Sequence, residues 1–244
     1  MNHGKPVPAQ ILESIHPDQF RRRARRHPIR RDTPALSTYD HFATMVFAQL
    51  TYRDSLRDIE ACLGSRRRLL YRFGIRDEVK RCNLVYANEH RDWRLFADVT
   101  SVLMRQTGRL YRDKPAELGF ESDLFAMDAT LIELSLALFP WARWQHVHAD
   151  LKLNLLLDLQ GDIPGFASLS EFDRHEVKAL DEIPVHAGSY YVMDRGFLDF
   201  ERLARLSNAE AWFVIRAKSN LDFYVVLSRP VDRASALRCD QTIR

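Results

Sequence analysis

The chain has 244 residues, 46% of them hydrophobic and 28% charged, which suits one large domain or two small ones with an ordinary core. No apolar run is long enough to cross a membrane, so a membrane-spanning role is excluded at this stage. The net charge of +3 hides a split: residues 1–120 carry 23 Lys and Arg against 14 Asp and Glu, whereas residues 121–244 carry 13 against 19.

A basic half joined to an acidic half points to a polyanion binder attached to something else. The positive charge clusters in RRRARRH (21–27) and SRRRLLYRFGIR (65–76), as it does on phosphate-binding surfaces. Arg21, Arg22, Arg23, Arg25, Arg26, Arg66, Arg67 and Arg68 are therefore candidate DNA contacts, with a solvated charged face as the alternative. Cys62, Cys82 and Cys239 lie far apart without paired spacing, which reads as free thiols in a reducing compartment and argues against zinc. The N-terminus lacks the apolar stretch of a signal peptide, and the expected location is cytoplasmic.

The first half reads helical. PVPAQILESI is a short amphipathic turn or helix, and TYDHFATMVFAQL spaces Phe42, Met45, Val46, Gln49 and Leu50 as one helical stripe. TYRDSLRDIEACL follows, with Leu56, Ile59 and Leu63 on one face, Thr51 or Ser55 as its cap and Gly64 at its end. Two helices across a short break are compatible with a helix-turn-helix. A long helix from about Asn83 is expected to bury Trp93, Phe96, Val99, Leu103 and Leu110.

Near residue 115 the character changes. SDLFAMDATLIEL is an apolar strand with Asp128 inside it. HADLKLNLLLDLQ sets Leu151, Leu153, Leu155, Leu157 and Leu159 on one face and Asp150, Lys152, Asn154, Asp158 and Gln160 on the other, which predicts a strand burying its leucines. QGD (160–162) turns into IPGFASLS, EFDRHEVKALDEI reads as a helix, SYYVMD as a strand, FLDFERLARLSN as a helix burying Phe197, Phe200, Leu203 and Leu206, and AWFVIRAK as a last strand. The fold class is α/β: a helical N-terminal region, about 1–115, then a mixed sheet over about 116–244 that begins with a hairpin and continues through right-handed crossovers.

In that topology the first strand can lie beside the strand ending at Asp194, which would make Asp128 and Asp194 neighbours. Two bare carboxylates held close repel each other, and a hard divalent cation removes the conflict. Two such ions support phosphoryl transfer by activating the attacking oxygen and stabilising the leaving one. The plainer alternative for Asp194 is a cap on the helix beginning near Phe197. Arg195, Arg216 and Lys218 stand at or beyond strand ends near this place and are candidate phosphate contacts. His146 and His148 read as a solvent-facing pair, Asp173 as a helix cap, and Trp141 and Trp144 as packing residues.

Six stretches carry a resemblance: FAQLTYRDSLRDIEACL (47–63), ANEHRDWRLFAD (87–98), MDATLIELSLALFPWA (127–142), KLNLLLDLQGDIP (152–164), YYVMDRGFLDF (190–200) and FVIRAKSN (213–220). In this order they resemble the N-terminal part of a bacterial DDE transposase of the IS-four insertion-sequence family. The resemblance implies a helical DNA-binding region, an incomplete ribonuclease-H-like catalytic domain entering a β-rich insertion near residue 220, and catalytic, metal-binding Asp128 and Asp194. It further implies Mg²⁺, for which Mn²⁺ may stand in, double-stranded DNA as partner (terminal inverted repeats and target), a homodimer on paired ends, and work at the nucleoid.

Three departures stand out. The first motif reads Asp128-Ala129-Thr130 where the family usually has a hydroxyl after the Asp, and WQHVHADLKL replaces a stretch rich in Lys and Ala. The family's Tyr-Arg-Glu-Lys signature, which carries the third acidic ligand, is absent from these 244 residues. The expectation is a fragment or the product of a truncated element, either inactive alone or a non-catalytic DNA-binding remnant that interferes with a full-length transposase.

Overall fold

The computed structural model describes residues 6–27, 35–65, 67–111, 122–134, 143–144, 148–232 and 234–244, with the backbone alone described at 67–69, 133–134, 143–144 and 148–150. Two compact units divide the chain, Met1–Arg109 and Leu110–Arg244.

The first unit is helical: α1 (Val7–Glu13), α2 (Pro17–Ala24), α3 (Thr38–Leu50), α4 (Leu56–Ser65), α5 (Arg67–Arg72), α6 (Arg81–His90) and α7 (Arg94–Tyr111), the last ending just past the unit boundary. Local chemistry sets the helix starts. The Ser37 hydroxyl accepts from the Asp40 N–H at 3.0 Å, and the Ser55 hydroxyl accepts from the Asp58 N–H at 3.2 Å. Ser55 is thus the cap of α4, while the Thr51 hydroxyl donates back to the Phe47 carbonyl. Gly64 lies inside α4, which runs one residue further.

The core of this unit gathers Phe20, Leu36, Phe42, Phe47, Ile59, Leu63, Phe73 and Leu84. Burial of such side chains supplies roughly 1.5–3 kcal/mol each. On α3 the buried face is rotated from the expected stripe: Ala43, Thr44 and Phe47 are inside with Phe42, whereas Leu50 is exposed. The single long helix expected from Asn83 is two helices, broken at Arg91-Asp92-Trp93. The Arg91 guanidinium, though buried, donates to the Leu36 and Ser37 carbonyls, and this distant pairing holds residue 91 in extended backbone. Val99 is buried as expected, but Trp93 and Leu110 are exposed.

The second unit is a mixed sheet. Its strands are β1 (Leu124–Leu134), β2 (Arg143–Trp144), β3 (His148–Asp158), β4 (Ile163–Glu171), β5 (Tyr190–Met193) and β6 (Trp212–Ile215). Their order is β2-β3-β1-β5-β6, with β4 also paired to β3. The hairpin of β3 and β4 is antiparallel, as is β1 on β3, whereas β1–β5 and β5–β6 are parallel. One helix, α8 (Phe200–Asn208), connects β5 to β6. A separate two-stranded ribbon, β7 (Val225–Arg229) with β8 (Asp240–Ile243), follows.

The core of this unit lies on one face of the sheet. Phe125, Met127, Leu156, Tyr191 and Met193 point into it and meet Val177, Leu180, Phe197, Leu203 and Leu206. Phe200, expected inside, is exposed: Leu203 and Leu206 complete the inward face of α8 without it. The segment expected as a helix over 171–183 is a six-residue 3-10 helix, Glu176–Asp181, capped by the His175 ring and not by Asp173. Trp212 and Val214, pointing to the other face of the sheet, are exposed.

The largest correction concerns β3. Lys152, Asn154 and Leu156 form its buried face, and the odd-numbered leucines are only half-buried. Leu156 breaks the polar row and selects that face for the core. Lys152 is accommodated because its ammonium donates to the Arg174 carbonyl at 3.0 Å, lies 3.7 Å from Glu176 Oε1 and stands over the Phe172 ring. Asn154 donates to the hydroxyls of Ser170 and Ser168 on β4.

Candidate active site

Parallel pairing of β1 with β5 runs from Leu124 opposite Tyr190 to Met127 opposite Met193. Asp128 and Asp194 are the next residues on the two strands. Pairing of β5 with β6 ends at Met193 opposite Ile215, so Arg216 follows on the third strand beside Asp194. Asp128, Asp194 and Arg216 thus form a row across three neighbouring strands, where their parallel pairing ends. Met127 and Met193 are buried in the core, and alternation along an extended chain turns the side chains of Asp128 and Asp194 to the opposite, exposed face. Asp194 keeps extended backbone, φ −78° and ψ 166°, so the alternation carries through it.

The packing beneath fixes both strand ends. Tyr191 is fully buried, stacks on Phe125 at 5.3 Å, donates to the Pro184 carbonyl at 3.0 Å and accepts from the His186 N–H at 3.0 Å. That anchors β5 three residues before Asp194. Asp128 Oδ1 accepts from the Ala129 N–H at 2.8 Å, which orients its carboxylate.

The capping alternative for Asp194 does not hold. Asp194 precedes a 3-10 turn, Arg195–Phe197, but its side chain makes no capping hydrogen bond there. Helix α8 is capped by Asp199, which accepts from the Arg202 N–H at 3.1 Å. Among the described residues, neither Asp128 nor Asp194 is engaged in an ion pair. Two adjacent, exposed carboxylates without a cationic partner are a suitable oxygen donor set for a hard divalent cation, whose other positions water and phosphate can fill. No cluster of three or more His, Cys, Asp and Glu able to hold a metal occurs among the described residues.

A cleft of about 580 Å³ opens at the same strand ends. Its walls come from Lys152, the 172–176 loop, Arg195-Gly196 and Lys218-Ser219-Asn220. Lys152 and Glu176 neutralise each other there, whereas Arg195 and Lys218 have no carboxylate partner among the described residues. Sequence reasoning placed Lys152 on a solvent face; the Leu156 interruption in the polar row was the available signal for its true position.

The basic residues of the helical unit are sorted by their partners. Arg21 is 3.1 Å from Asp18, and Arg23 and Arg26 are 3.8 and 3.7 Å from the two oxygens of Asp98. Arg22 and Arg25 are exposed and unpaired among the described residues. Arg66 lies outside the described residues, and Arg67 and Arg68 are described only as backbone in α5. His146, Trp141 and the side chains of Trp144 and His148 are also outside what is described.

A mixed sheet of this order, with an acidic residue inside the first strand and another at the end of its parallel neighbour, defines a ribonuclease-H-like α/β domain. A family model described as a transposase DDE domain matches residues 119–243, half of the chain, and the chain belongs to that family. A second, described as a domain of unknown function (DUF4372), matches residues 3–76. Among curated relatives, "Putative transposase y4zB" of Sinorhizobium fredii is 26% identical over 61% of this chain and 40% of its own length. "Probable transposase for insertion sequence element IS5377" of Geobacillus stearothermophilus is 27% identical over 61% of this chain and 38% of its own. "Putative transposase for insertion sequence element IS4SA" of Synechocystis is 24% identical over 55% and 38%. The chain therefore spans about two fifths of the length of the relatives it matches. No solved structure gave a significant match. No described helix is long and apolar enough to cross a membrane.

Proposed function

We propose that the chain serves DNA transposition as part of an IS-four-type transposase. The helical region, about 1–115, binds the terminal inverted repeats of the element through the arginines clustered at 21–26 and 66–68. The region from about 116 to 244 contributes to cleavage of the ends and their transfer to target DNA. The observation that supports this reading is the row formed by Asp128, Asp194 and Arg216 where the parallel strands stop pairing.

In this reading Asp128 and Asp194 hold Mg²⁺, for which Mn²⁺ can substitute. Bound there, the ion supplies activation of an attacking oxygen and stabilisation of the leaving one. The protein's own part is positional. The Ala129 N–H holds the Asp128 carboxylate toward the ion, the buried Tyr191 fixes the strand that carries Asp194, and Arg216 and Lys218 grip phosphates of the strand being cut. The partner is double-stranded DNA, and the chain works as a homodimer on paired ends in the cytoplasm, at the nucleoid.

Taken alone, the 244-residue chain is expected to bind DNA without cutting it. A binder that does not cut would occupy element ends and compete with a cutting relative. The test is an Mg²⁺-dependent nicking assay with the purified chain on a duplex carrying the element's repeats. A shifted, uncut duplex is expected. Nicking that disappears in Asp194→Ala would overturn the inactivity of the isolated chain while upholding the role of Asp194.

A further inference from the structure

The helical unit contains a second basic cleft. A cavity of about 200 Å³ lies between α2 and α7, lined by Gln19, Arg22, Arg23, Arg105, Gln106 and Arg109, with Val102 at its base. Four of these residues are arginines, and no carboxylate is among them. Arg105 and Arg109 are one helical turn apart on α7 and present their side chains on the same face as Gln106 and Val102. They lie more than 80 positions from the arginine run of α2, so only folding brings the two sets together.

The cleft is held in shape. The Gln106 amide donates to the Gln19 side-chain carbonyl at 3.4 Å, bridging the two helices. Arg23, its side chain only 19% exposed, donates from its terminal nitrogen to the Gln19 backbone carbonyl at 3.1 Å and turns its Nε toward Asp98 at 3.8 Å. Asp98 also lies 3.7 Å from Arg26 and 3.8 Å from His27 Nε2, so the acidic compensation is concentrated at one end. At the other end Arg22, Arg105 and Arg109 are exposed and without a carboxylate among the described residues. Like charges converging on one cavity whose two helices are bridged by a glutamine pair call for an anion. Guanidinium forks match phosphate oxygens in a way that ammonium groups do not. The cavity has about the volume of six or seven waters, room for a phosphodiester group with part of its hydration.

We propose that the α2–α7 cleft is the phosphate anchor by which the helical unit grips duplex DNA, with Arg105 and Arg109 as contacts alongside Arg22 and Arg23. This rests on the DNA-binding reading above and makes it specific: α7, and not α2 alone, carries the contact. Phosphate anchoring sets register and affinity on the duplex and carries no sequence information of its own.

The experiment measures binding of the full 244-residue chain to a labelled duplex by fluorescence anisotropy across a salt series. Arg105→Ala/Arg109→Ala is expected to weaken binding at least tenfold at low salt. It should also flatten the slope of log affinity against log salt by about 1–2, the release of one or two counterions. Arg57→Ala/Arg81→Ala removes the same charge from exposed positions outside the cleft and is expected to leave the slope unchanged. Arg105→Lys/Arg109→Lys, measured with the melting temperature of each variant, separates loss of contact from loss of fold, and should keep the slope while losing part of the affinity. Wild-type binding that is equally weakened by both alanine pairs, or by neither, overturns the cleft and leaves DNA binding standing. Absence of duplex binding by the wild-type chain overturns the DNA-binding reading and the cleft with it.

Discussion

Glu176 closes over Gly196 so tightly that a Cβ at residue 196 would stand 2.7 Å from Glu176 Oε2. The glycine that follows Asp194-Arg195 thus leaves room for the Glu176 carboxylate. Glu176 is the far end of a flexible side chain, but Lys152 holds it from below. Because Glu176 is part-exposed and can swing aside, Gly196→Ala is expected to cost at most about 1 kcal/mol, below the usual cost of overpacking a closed core. Combining it with Glu176→Ala should recover part of that loss, and a double-mutant cycle by chemical denaturation reads the coupling directly. Additive losses would mean that the two residues do not press on each other.

Lys152 provides the second expectation. Its ammonium lies under the 172–176 loop, bonded to the Arg174 carbonyl and paired with Glu176. Lys152→Met keeps the stem and removes the charge. It leaves a carbonyl and a carboxylate without their donor, but Glu176 still reaches water, so the cost should be about 1–2 kcal/mol and below that of a fully buried broken pair. The 172–176 loop should loosen at the same time, seen as faster amide exchange at residues 174–177.

His41 predicts a pH dependence for the helical unit. Burial, opposed by its hydrogen bond to Asn88 and reinforced by the nearby Arg91, lowers its pKa from the ordinary value near 6.5 to about 4. The imidazole is neutral when folded, with Nε2 2.7 Å from Asn88 Oδ1. The unfolded chain takes up a proton below about pH 6.5 and the folded chain does not until about pH 4. Stability from this group is thus fully present above 6.5 and declines as pH falls toward 4, by at most about 1.4 kcal/mol per pH unit. Urea unfolding at pH 7 and pH 5 should show a smaller loss in His41→Gln than in the wild-type chain.

The neighbours Asp128 and Asp194 were legible in the sequence because two simple patterns agreed. Each strand was a short apolar run, and the topology they implied made them parallel partners. The same logic failed where a residue's fate depended on distant contacts. Arg91 ends α6 by binding carbonyls some 55 positions away, and no glycine or proline announces the break. The face of β3 was inverted because alternation alone treats Lys152 and Asn154 as solvent-seeking, whereas Phe172, Glu176 and the serines of β4 supply partners inside. Asp199 caps α8, and the Asp194 side chain makes no capping bond. The cleft between α2 and α7 was half-visible, since the Arg21–Arg26 run is plain in the sequence and its partners on α7 are two isolated arginines.

The central claim is that Asp128 and Asp194 together hold a divalent cation. Thermal unfolding of the chain with and without about 10 mM Mg²⁺, at matched ionic strength, tests it most directly. For a Kd of about 1 mM, binding to the folded state adds roughly 1.4 kcal/mol, which is a rise of roughly 3–6 °C for a domain of this size. That rise is expected in the wild-type chain and is lost in both Asp128→Asn and Asp194→Asn. An equal rise in all three proteins, or none in the wild-type chain, would contradict it.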